Sequence, residues 1–88
     1  MLPIVRKSRF KKDFRKLRSA SKDVQKLIEV IEILRAEESL DQRYRDHNLI
    51  GNYVGYRECH IEPDWLLIYK VENGELILVR TGSHSELF

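Results

Sequence analysis

Three histidines, His47, His60 and His84, fall in the second half of an 88-residue chain that has no others. Near them in sequence stand Asp46, Arg57, Glu58, Glu62, Asp64 and Arg80. A free imidazole titrates at about 6.5, so histidine both takes and gives a proton at neutral pH. RNA cleavage asks for that pair of actions. A base removes the 2′-OH proton, the oxygen attacks the adjacent phosphorus, and an acid protonates the departing 5′ oxygen. A fixed cation stabilises the charge gathering on the phosphoryl oxygens. Histidine, aspartate and arginine fill these roles with no cofactor and no metal. Each residue also has a plainer reading. An isolated strand histidine usually packs or lies on the surface, Arg80 pairs with Glu62 or Glu58, and Trp65 belongs to a core. Spacing alone does not choose between them.

Other chemistries have less support. No pair of histidines has the close spacing of common zinc motifs, and Cys59 would point to the opposite strand face from His60. Ser83-His84-Ser85 is contiguous, whereas a nucleophilic triad converges in space, and there is no Gly-x-Ser-x-Gly elbow.

The elements that must position these residues divide the chain in two. Leu2 to Val5 suits a short first strand. Ser8 is placed as the N-cap of a helix carrying Phe10, Phe14 and Leu17 at helical spacing. Ser21 opens a second helix with Val24, Leu27, Ile28, Ile31 and Leu34 on a broad apolar stripe, and Ser19-Ala20-Ser21 is the break between the two. Leu40 to Gly51 has no period and reads as loop. Beyond it, Tyr53 to Glu62 is strand-like, Pro63-Asp64 is a turn, and Trp65 to Val71 is almost continuously apolar, as a central strand should be. Asn73-Gly74 is a type I′ hairpin signal before the strand Leu76 to Val79. A short tail, Thr81 to Phe88, follows. The expected fold is α+β: a β-α-α-β-β-β order, with a largely antiparallel sheet carrying a helical hairpin on one face.

Length and composition fit one domain over residues 1–88. A chain this short buries about 60–65% of its unfolded surface. Apolar residues make up 42%, enough for a core, and the 34% charged residues carry both signs. No apolar run approaches the roughly 20 residues that cross a bilayer. The N-terminus lacks a secretory stretch, and the single cysteine cannot form an internal disulfide, so the expectation is a cytoplasmic protein without a membrane partner. Charge is uneven. Residues 1–26 hold ten Lys or Arg against two Asp, and residues 27–88 hold six basic against twelve acidic side chains. Such a block either grips a phosphate backbone or is a solvated helix face.

Three strings go further: Arg45-Asp46-His47-Asn48-Leu49-Ile50-Gly51, the run from Gly55 to Tyr69, and the run from Arg80 to Phe88. Within them, His-x-x-Pro-Asp-Trp followed by Arg-Thr-Gly-Ser-His closely resembles the YafQ branch of the RelE family of bacterial toxins. The resemblance spans about half the chain, with gaps. It implies a ribonuclease that cuts messenger RNA in the decoding site of a translating ribosome, silenced by a cognate antitoxin in a hetero-oligomer. It also implies a sheet with helices on one side and the site on its other, concave face.

Carried over by position, the family's functional residues are His47, His60, Asp64, Trp65, Arg80, His84 and Phe88. On that resemblance His84 is the acid at the 5′ oxygen, Asp64 or His60 the base, and Arg80 the cation on the phosphoryl group. His47 binds phosphate or shares in proton transfer, while Trp65 and Phe88 stack on or wall the bases. The wider family often uses Arg, Lys and Tyr, and this chain departs from that set. Lys11, Lys12, Arg15 and Lys16 would hold ribosomal RNA through phosphates. Two functions stay open: an endoribonuclease, and a non-catalytic module that binds ribosomal RNA or an antitoxin-like partner and blocks translation without cutting.

Overall fold

The computed structural model describes residues 1–88. Its elements run β1 (Ile4–Arg6), α1 (Ser8–Ser19), α2 (Val24–Arg35), β2 (His47–Asn48), β3 (Arg57–Glu62), β4 (Trp65–Glu72), β5 (Glu75–Gly82) and α3 (His84–Leu87). Two single 3₁₀ turns, Gln42–Tyr44 and Gly51–Tyr53, flank β2. The α+β class expected from sequence is present, with two additions to the expected order: β2 lies inside the segment read as loop, and α3 ends the chain. The five strands form one sheet in the order β1-β5-β4-β3-β2. All neighbours are antiparallel except β1, which lies parallel to β5 and registers Ile4 with Leu76.

The apolar run of β4 becomes the central strand because both its faces are covered. Leu66, Leu67 and Ile68 have no exposed surface. On one face, Trp65, Leu67 and Tyr69 join Cys59, Ile61, Leu76 and Leu78 beneath Phe10 and Leu17 of α1 and Leu27, Val30 and Leu34 of α2. On the other, Leu66 and Ile68 meet Leu87 of α3, with Leu49, Tyr53, Tyr56 and Val79 packed around them. The turn between β4 and β5 puts both Asn73 and Gly74 at positive φ, as a type I′ turn requires.

Several boundaries differ from the sequence reading, each for a local reason. Ser8 is the first residue of α1 rather than its cap; extended Lys7 precedes it, without a side-chain bond. Ser21 does not open α2. It ends α1 in the left-handed region at φ 59°, where its N–H donates to the Arg18 carbonyl and that of Lys22 to Leu17. This is a Schellman turn with serine where glycine is usual. The first strand starts at Ile4, since the Leu2 N–H is taken by the Arg35 carbonyl. β3 starts at Arg57, because Gly55 at φ 94° turns the chain between Tyr53 and the strand. The expected tail is the end of β5 plus α3, whose start is fixed by a capping box between Ser83 and Glu86.

Candidate active site

Strand alternation brings the first two histidines together. His47 on β2 is directly opposite Glu58 on β3, and His60 is two residues further along the same face. Glu58 Oε2 lies 3.1 Å from His47 Nε2 and 3.7 Å from His60 Nε2. Glu58 and His60 are buried, while His47 is exposed. The other nitrogen of each ring is also engaged. His47 Nδ1 is 2.6 Å from the Arg45 carbonyl and His60 Nδ1 3.3 Å from that of Pro63. Both carbonyls can only accept, so each Nδ1 carries a proton in these bonds.

The third histidine arrives from the other end of the sheet. The Pro63-Asp64 turn between β3 and β4 carries Asp64 to the first residue of α3. There Asp64 Oδ1 accepts from the His84 backbone N–H at 2.9 Å and lies 2.6 Å from His84 Nδ1. The His84 backbone N–H, and then its ring, hold the Asp64 carboxyl below its ordinary value. An ionised Asp64 places the shared proton on Nδ1 and leaves Nε2 of exposed His84 open. The ring centroid of His60 is 5.7 Å from that of His84 and 6.3 Å from that of His47.

The loop bearing His47 is held by a separate network. Asp46 Oδ1 accepts from the Tyr69 hydroxyl at 2.6 Å and from Arg57 Nε at 3.2 Å, while Arg57 Nη1 donates to Asn48 at 2.8 Å. Burial, reinforced by Asp46, pushes the Tyr69 hydroxyl above its ordinary value. Burial does the same to the Cys59 thiol, which makes it a poor nucleophile.

Arg80 is not paired with Glu62 or Glu58. Its guanidinium grips Asp13 of α1 through Nε at 2.8 Å and Nη2 at 3.1 Å, with both side chains almost fully buried. Trp65 takes the core reading in place of the base-stacking one: it is 1% exposed on the helical side, and its indole N–H donates to Thr81 Oγ1 at 3.0 Å. Phe88 is 61% exposed and meets Tyr53 edge-on, their centroids 5.5 Å apart. Tyr53 in turn meets Tyr56 edge-on at 6.1 Å. Lys11, Lys12, Arg15 and Lys16 are all exposed on α1. Sequence reasoning names Glu58 only as a neighbour of the histidines and a partner for Arg80, and does not single out Tyr53 or Asp13 as site residues. Asp13 did leave a signal: it is a lone acid on the apolar stripe, between Phe10 and Leu17.

Residues 2–88 fit the model for YafQ, the bacterial toxin of type II toxin–antitoxin systems. The chain belongs to the YafQ toxin family. The mRNA interferase toxin YafQ of Escherichia coli K12 is 40% identical over 80 residues, 90% of this chain and 87% of that protein. A copper-bound mutant toxin from Helicobacter pylori superposes with a TM-score of 0.96 at 51% identity, over the whole of both chains. The E. coli DinJ–YafQ complex gives a TM-score of 0.91 at 37% identity, covering 100% of this chain and 99% of that one. Copper is a property of that Helicobacter structure. No helix is long and apolar enough to cross a membrane.

Proposed function

We propose that the chain is an endoribonuclease that cuts messenger RNA in the decoding site of the ribosome and so stops translation. It acts as one unit over residues 1–88, in the cytoplasm, until a cognate antitoxin binds it in a hetero-oligomer. The observation that carries this reading is the Asp64–His84 pair, with an oriented and open Nε2 beside His60. The names of the relatives add independent support for messenger RNA as substrate and for an antitoxin partner.

In this mechanism His84 Nε2 gives a proton to the leaving 5′ oxygen, and Asp64 fixes its tautomer and orientation. Asp64 is then a weak candidate for the base, since its carboxylate is occupied and held in the ionised form by His84. His60 is the better base, with His47 and Glu58 as the neighbouring proton-sharing pair. Arg80 faces the phosphoryl group, and Phe88 stacks on a base. The exposed lysines and arginine of α1 hold ribosomal RNA by its phosphates, so replacing Lys11, Lys12, Arg15 and Lys16 together weakens ribosome binding and flattens its salt dependence.

The test is a purified translation reaction with a defined message, in which new 5′ ends are mapped. Cuts at the decoding site that vanish with His84→Ala support the enzyme. Stalled translation with no new ends supports the non-catalytic module instead.

A further inference from the structure

A buried carboxylate is out of place in the most basic stretch of the chain. Asp13 is 7% exposed on the inner stripe of α1, among Arg9, Lys11, Lys12, Arg15 and Lys16. Burying it is costly unless its oxygens are satisfied, and they are satisfied by three donors. Arg80 contributes Nε at 2.8 Å and Nη2 at 3.1 Å; the Thr81 backbone N–H adds a bond of 3.1 Å. The reason lies in the sheet. β1 pairs with β5 only from Leu76 to Leu78, so the β5 edge beyond it has lost its strand partner. Asp13 occupies that edge.

We propose that Asp13 is the positioning residue that sets the Arg80 guanidinium toward the phosphate being cleaved. The proposal rests on Arg80 acting at the phosphoryl group. Side-on pairing through Nε and Nη2 uses two of the five guanidinium N–H groups and leaves the Nη1 edge for another acceptor. The Asp13 hydrogen bond is the main cause that holds the guanidinium above its ordinary value.

Asp13 also fixes the backbone that leads to His84. Thr81 Oγ1 donates to the Leu66 carbonyl at 2.7 Å while accepting from Trp65. At Gly82, φ is 156°, and a Cβ would lie 2.9 Å from Glu86 Oε1, displacing the oxygen that accepts from the Ser83 N–H. Arg80 and His84 are therefore joined by three residues, Thr81 to Ser83, with little freedom. As a charge alone, Asp13 opposes RNA binding, so its positioning and electrostatic effects have opposite signs.

The experiment compares Asp13→Asn, Asp13→Glu, Arg80→Lys and the double variant Asp13→Asn/Arg80→Lys in the full chain. Melting, ribosome binding and single-turnover cleavage at saturating protein are measured for each. Folded Asp13→Asn is expected to cut about 10–100-fold more slowly, the effect of misplacing a catalytic group by about 1 Å. Its ribosome binding stays equal or tightens. In the double variant the rate matches that of Arg80→Lys, and Asp13→Glu recovers part of the loss. A purely structural pair lowers the melting temperature but leaves the rate of folded protein at the wild-type value, which overturns the proposal. So does a loss that multiplies fully with that of Arg80→Lys. Should Asp13→Asn fail to fold, a folded Asp13→Glu with the wild-type rate overturns it equally. Arg80→Lys cutting at the wild-type rate sinks the Arg80 reading itself; Arg80→Lys slow beside Asp13→Asn fast sinks only Asp13.

Discussion

The two faces of the sheet are built to different rules. The helical face is a closed apolar layer: Trp65, Leu67, Tyr69, Leu76 and Leu78 are each at most 2% exposed beneath α1 and α2. The opposite face has a much smaller apolar cluster, with Leu66, Ile68 and Leu87 as its buried members, and gives area to His60, Glu58 and the groups around them. Buried polar side chains need partners, and here the partners are one another and nearby carbonyls. Substitutions on the first face should therefore change stability, and those on the second should change chemistry. Arg80 and Asp13 join the two, reaching from β5 to α1 around the unpaired edge.

The sharpest way to break this division is His84. Replacing it with Ala should slow single-turnover cleavage by about 100–10,000-fold, the usual worth of an acid–base group. The melting temperature should hold, because the ring is exposed; a large fall in melting temperature would erase the contrast between faces. Trp65→Ala tests the other side. It should lower unfolding free energy by about 3–5 kcal/mol in denaturant titration, while protein that remains folded still binds RNA. A stable Trp65→Ala that has lost RNA binding would return Trp65 to the site.

Phe88→Ala comes next, with a loss of about 1–3 kcal/mol in binding of the message and no change in stability. Equilibrium binding to message-programmed ribosomes, beside a thermal melt, checks both halves. The smallest effect is expected at Glu62, whose carboxyl is held below its ordinary value chiefly by the hydrogen bond from Lys26 at 2.8 Å. A folded value below the unfolded one, about 4.3, adds stability above that pH. The contribution is lost as pH falls through the folded value. Lys26→Gln should remove this part of the acid dependence. The change in melts between pH 3 and 6 should be slight, because the pair is exposed and screened.

Much of this was legible in the residues. The apolar stripes of Phe10, Leu17, Leu27, Val30 and Leu34 named the helices, and the Asn73-Gly74 turn named a hairpin, because local periodicity and turn chemistry depend on near neighbours. The strings around His47, His60 and His84 carry the family resemblance by residue type and spacing alone. Alternation along β3 already separated Cys59 from His60.

What stayed hidden depends on residues far apart in sequence. Ser21 carries the marks of an N-cap, yet the chain uses it to end α1. Thr81 to Phe88 is too short to show a period; it holds the end of β5 and then α3, which forms because Ser83 and Glu86 cap it and Leu87 packs on Leu66 and Ile68. Trp65 suits both a core and a base platform by type, and only the placement of the helices buried it. The partner of Arg80 lies 67 residues away, where no sequence spacing could pair them. The sequence by itself determined which segments become helix or strand and which side chains are able to move protons, because those properties are local. The tertiary structure decided which of them meet, since a carboxylate and a guanidinium find each other only after β1 stops short and α1 crosses the open edge of β5.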